Sequence, residues 1–78
     1  SKYYLARANI YNNIGVIYFK QKLYSLSLEY YNKALDIEKK IFSATHTNIE
    51  GSYNNIALVY KAMRDYEKAY YYFGSSFD

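Results

Sequence analysis

The segment Tyr11-Asn12-Asn13-Ile14-Gly15-Val16-Ile17-Tyr18 returns 42 positions later as Tyr53-Asn54-Asn55-Ile56-Ala57-Leu58-Val59-Tyr60. The correspondence runs on: Tyr24 matches Tyr66, Tyr30 matches Tyr72, Tyr31 matches Phe73 and Asp36 matches Asp78. A fixed period of this size marks stacked-repeat architectures, in which each unit buries its apolar face only against its neighbours. Such arrays build extended binding surfaces rather than reaction centres.

The spacing inside each repeat is helical. Tyr11, Ile14, Gly15 and Tyr18 fall at i, i+3, i+4 and i+7, as do Tyr53, Ile56, Ala57 and Tyr60, so each set forms one stripe of a helix. A polar break follows each, Lys20-Gln21-Lys22 and Met63-Arg64-Asp65. A second stripe then begins: Tyr24, Ser27 or Leu28, Tyr31, and Ala34 or Leu35 in the first repeat, Tyr66, Ala69 or Tyr70, Phe73 and Phe77 in the second. The reading is all-α, with helices at about 4–20, 24–42, 48–63 and 66–77. Residues 1–42 form one repeat and 43–78 a second, truncated one. Thr47 or Asn48 is the expected N-cap of the third helix, with Glu50 completing a capping box. Gly15 sits inside a helix, where glycine costs about 1 kcal/mol relative to alanine. A partner helix pressing close is the usual reason for accepting that cost. Gly74-Ser75-Ser76 weakens the last helix, and fraying is expected there.

Hydrophobic residues make up 51% of the chain, so it is expected to be globular. The net charge is +3, spread without any long basic block. That argues against a nucleic-acid partner. Cysteine is absent, which fits a reducing compartment, and an intracellular, cytoplasmic location is the expectation. No apolar run approaches the ~18 residues of a membrane helix, so no membrane partner is expected. The chain is read as an interior slice of a longer array. Of the 13 tyrosines, the pattern makes Tyr11, Tyr18, Tyr24, Tyr31, Tyr53, Tyr60 and Tyr66 core positions. It leaves Tyr3, Tyr4, Tyr30, Tyr71 and Tyr72 as surplus, expected either to cover a next repeat or to sit half-exposed with their hydroxyls in water.

These residues resemble tetratricopeptide repeats: Tyr11, Ile14-Gly15, Tyr18, Ser27, Tyr31 and Ala34, then Tyr53, Ile56-Ala57, Tyr60, Ala69, Phe73 and Ser76. The 42-residue length, the Asn-Asn pair in each first helix and a histidine before the second repeat resemble the kinesin-light-chain type. Ser27 and Ser76 stand where the family has alanine, Thr47 where it has proline, and neither turn has the usual glycine. The resemblance implies a right-handed α-solenoid of stacked helix pairs, whose first helices line a concave groove. On the first helix the neighbouring stripe is Asn9, Asn12, Val16, Phe19 and Lys20, coherent at helical spacing. In the second repeat it is Gly51, Asn54, Leu58, Lys61 and Ala62. The resemblance places both in the groove. Asparagine can both donate to and accept from a peptide backbone. Val16, Phe19 and Leu58 offer apolar contact, and Lys20 and Lys61 would favour an acidic segment. Asn12 and Asn54 have an alternative role, bracing adjacent repeats.

Catalysis has no support in the sequence. His46 is the only histidine, and nothing brings it together with a serine and an aspartate. Its expected role is to cap or tether the third helix. Glu29, Asp36, Glu38, Glu50, Asp65 and Glu67 read as a solvated face, and no cofactor or metal is expected. The expected function is a protein-interaction scaffold that holds a partner's segment in the groove. The alternatives are a purely structural spacer or brace, and the repeat region of a larger sensory or effector protein. Uncapped ends are expected to make the fragment self-associate.

Overall fold

The computed structural model describes residues 2–42 and 47–77. It is all-α: α1 spans Lys2–Lys20, α2 Tyr24–Ile41, α3 Thr47–Ala62 and α4 Tyr66–Phe77. α1 packs on α2 and α3 on α4, and the α2–α3 contact joins the two pairs. The main core lies at that joint. Tyr31 and Leu35 of α2 meet Ile49, Ile56 and Val59 of α3, with Val16, Phe19, Tyr24 and Leu28 packed against them. Burying this apolar surface is what holds helices of such length in place, since short isolated helices are marginal in water.

At Gly15, α1 and α2 press tightly together. A Cβ placed there would stand 2.6 Å from Tyr31 Cδ1 and 2.7 Å from Cε1. The Gly15 carbonyl also accepts a hydrogen bond of 2.7 Å from the buried Ser27 Oγ. In the second repeat the same three positions hold Ala57, Ala69 and Phe73. The serine that departs from the family pattern therefore belongs to a set. Without a Cβ at position 15, the hydroxyl and the tyrosine ring sit directly on the backbone of α1.

The tyrosines are arranged differently from the sequence expectation. Tyr30, expected to be surplus, is half-buried, with ring centroids 5.9 Å from Tyr11 and 5.7 Å from Tyr18. Tyr72 repeats this 42 residues on, 6.1 Å from Tyr53 and 5.6 Å from Tyr60. Each tyrosine of the second helix wedges between two of the first, a spacing favourable to aromatic pairs. Tyr66, expected in the core, is 62% exposed. Its counterpart Tyr24 is covered by the following repeat, and no described element covers Tyr66.

The two turns close identically without glycine. Lys22 N–H donates to Phe19 O at 3.0 Å and Leu23 N–H to Tyr18 O at 2.9 Å. Arg64 donates to Lys61 O and Asp65 to Tyr60 O at the same two distances. This is the Schellman pattern, which needs one residue in the left-handed region. Here Lys22 takes φ 63° and Arg64 φ 65°, a conformation that costs an ordinary residue about 1 kcal/mol or more. Lys22→Gly and Arg64→Gly are each expected to stabilise the fold by about 0.5–1 kcal/mol after glycine's own entropy cost. Urea titration reads this as a raised midpoint, and Lys22→Ala should give no gain.

The fourth helix continues through Gly74 to Phe77, and Ser75 Oγ donates to Tyr71 O at 3.1 Å. Thr47 is the first residue of α3 rather than its cap. The position before it, His46, lies outside the described residues, as does its expected tethering role.

Candidate functional site: a polar groove between the first helices

Asn9 and Asn12 lie one turn apart on α1, and Asn48, Gly51, Ser52 and Asn55 follow at helical spacing on α3. The two stripes face each other across a cavity of about 240 Å³, with Glu38 of α2 as a further lining residue. A Cβ on Gly51 would meet nothing within 4 Å, so the groove is open there.

Glu38 is 2% exposed, contrary to its reading as part of a solvated face. The equally buried Ser52 Oγ donates to Glu38 Oε1. This bond crosses from α2 to α3 and therefore ties the first repeat to the second. A buried carboxylate requires such donors, because transferring it from water without them is costly.

Asn12 differs from these two. Its Oδ1 is buried and has no hydrogen-bond partner among the described residues. Buried polar atoms without partners are rare in folded proteins, and this one lines the groove.

The remaining stripe residues are dispersed. Asn54 is exposed and does not line this cavity; its neighbour Asn55 does. Asn54 occupies the position in α3 that Asn12 holds in α1. Val16 and Phe19 are half-buried against the core, Phe19 with its ring centroid 5.9 Å from that of Tyr24. Leu58 is 39% exposed, and Lys20 is exposed. Lys61 lines a different, apolar groove with Tyr66, Ala69, Tyr70 and Phe73. Sequence reasoning missed Glu38, Ser52, Asn48 and Asn55. Asn48, Ser52 and Asn55 could have been found by continuing the helical spacing around α3 from Gly51.

The charge is uneven. Residues 1–42 carry seven Lys/Arg and three Asp/Glu, and residues 43–78 carry three and four. Several basic groups are held on aromatic rings: Lys33 Nζ lies 4.7 Å from the Tyr30 centroid and Lys39 Nζ 5.8 Å from that of Tyr53. Arg7 donates to Tyr11 Oη at 3.3 Å. That bond holds the Tyr11 phenol below its ordinary 10.0, whereas burial raises Tyr31 and Tyr72 above theirs.

Among the described residues, no three His, Cys, Asp or Glu side chains cluster to hold a metal ion. No helix among them is long and apolar enough to cross a membrane.

No curated protein sequence matches the chain. A family model does, over residues 6–78, and its family is the tetratricopeptide repeat. Repeats of this family are typically non-catalytic modules for protein–protein interaction. With paired helices at a 42-residue period and matching turns, the chain belongs to the tetratricopeptide repeat family.

Proposed function

We propose that the groove between α1 and α3 holds an extended segment of a partner protein, with Asn12 as its main polar anchor. The observation that carries this reading is the buried, unpartnered Asn12 Oδ1. In the free chain that oxygen is shielded from the groove, so the Asn12 amide must turn outward for a backbone N–H of a bound segment to supply the missing bond, and the neighbouring Asn9 and Asn55 amides can donate and accept along the same segment. On this reading residues 1–42 and 43–78 are two repeats sharing one ligand surface. The surplus of basic side chains in residues 1–42, including the exposed Lys20, favours acidic side chains in the partner. Affinity should therefore fall as salt rises.

The bracing role does not need Asn12. Ser52 and Glu38 link the repeats, and Ser27 ties α2 to the Gly15 carbonyl of α1. Peptides selected on the wild-type chain from a random display library can be measured again on Asn12→Ala. Binding is expected to weaken about tenfold, the worth of one good hydrogen bond. The urea midpoint should hold or rise slightly, because the deleted oxygen has no bond to lose. Unchanged binding with a lowered midpoint would assign Asn12 to the brace instead.

A further inference from the structure

Two surfaces of the chain match each other through the internal repeat. One is a groove of about 320 Å³ lined by Lys61, Tyr66, Ala69, Tyr70 and Phe73. Tyr66 is 62% and Tyr70 81% exposed. One period of 42 residues earlier, these positions are Phe19, Tyr24, Ser27, Leu28 and Tyr31. Within the chain, Phe19, Tyr24, Leu28 and Tyr31 form the surface against which Ile49, Ile56 and Val59 of α3 are packed. The molecule therefore shows what sits on such a groove.

The counterparts of Ile49, Ile56 and Val59 one period earlier are Arg7, Ile14 and Ile17 of α1. Ile17 is 54% exposed, and Ile10, the counterpart of Ser52, is 55% exposed. Large exposed apolar side chains at helical spacing mark an association surface. Summed over each repeat, charge favours joining unlike faces, although Arg7 and Lys61 lie on the two surfaces: residues 1–42 have an excess of four positive charges, and residues 43–78 an excess of one negative. Two α1 faces brought together would set positive repeats against each other.

We propose that a second copy of this chain docks its α1 face, through Ile10, Ile14 and Ile17, onto the Tyr66–Tyr70 groove of the first. The contact follows between molecules the α2–α3 packing already made within one, with Arg7 in the place of Ile49 and Lys61 in the place of Phe19. It is heterologous, so each added copy presents a fresh groove, and the association runs on beyond a dimer. It does not depend on the ligand groove, and Asn12→Ala should leave it unchanged.

The test is sedimentation equilibrium of the 78-residue chain from about 10 μM to about 1 mM, alongside Ile17→Asp and Tyr70→Glu. Both substituted positions are exposed, and far-UV circular dichroism checks that each variant remains helical. Should either lose helicity, Ile10→Asp and Tyr66→Glu form a second pair on the same two faces. The wild-type mass is expected to rise with concentration past two copies. Each variant alone should stay at the 9.3 kDa of one chain. An equimolar mixture should form a 1:1 pair and stop, because one intact face of each kind remains. A wild type that stays monomeric throughout would overturn the proposal, as would a mixture that fails to pair. A dimer persisting in Ile17→Asp would replace it with a symmetric contact through α4.

Discussion

Gly15→Val is expected to destabilise the fold by about 3 kcal/mol. The total stability of a chain of this size is about 4–12 kcal/mol, so the loss is severe. The branched side chain must enter a space where even a Cβ lies 2.6 Å from Tyr31 Cδ1 and 3.1 Å from Cγ. Carbon atoms prefer about 3.5–4.0 Å. The obstructing atoms include the base of a ring that is only 3% exposed, so the ring cannot swing clear. The helices must separate instead, which also stretches the Ser27–Gly15 bond. Gly15→Ala sets two effects against each other. Helix propensity favours alanine by about 1 kcal/mol, and the overlap costs about 1–3 kcal/mol, so a net loss is expected. In a Tyr31→Leu background the overlap is relieved, and Gly15→Ala should then stabilise. A four-species cycle by urea denaturation measures this change of sign. Stabilisation by Gly15→Ala in the wild type would contradict the close approach.

Glu38→Ala is expected to cost about 3 kcal/mol. It removes a buried carboxylate, opens a cavity and leaves the Ser52 hydroxyl without its acceptor. Ser52→Ala should cost about 1–3 kcal/mol by taking a donor from a carboxyl group that remains buried. Glu38→Gln keeps an oxygen to accept from Ser52 and should cost less than Glu38→Ala. The lesion lies between repeats, so its effect should extend beyond a lowered midpoint. Stability in such stacks sums intrinsic and neighbour-interface contributions. Weakening the α2–α3 joint should therefore broaden the unfolding transition. Midpoint and urea dependence measured together separate this from simple destabilisation. Unchanged stability in both Glu38→Ala and Ser52→Ala would mean that the link contributes nothing.

The sequence showed the helices because each occurs twice, with the same stripe and the same break. Gly15 was legible too: the small residue at its counterpart, Ala57, marked a crowded position. Glu38 was not, because these 78 residues hold no second copy of its position to compare. Flanked by Asp36, Lys39 and Lys40, it reads as one more solvated charge. Its burial comes from the docking of α3, a tertiary event that local pattern does not encode. The ring partners of Tyr30 and Tyr72 were not legible for a related reason. Both tyrosines lie beside the stripe that faces the next repeat, on the flank turned to their own first helix. Asn12 and Asn54 are identical in sequence, yet among the described residues only Asn12 has a following first helix opposite it. The site is therefore a property of the joint between repeats.

The most direct test of the groove is a side-chain amide footprint. A peptide selected on the wild-type chain is titrated into the 15N-labelled protein, and the asparagine NH2 signals are followed. The account predicts that Asn12 shifts most, with Asn9 and Asn55 following, while Asn32 on the exposed face of α2 stays fixed. Saturable binding that leaves the Asn12 amide unmoved would contradict it.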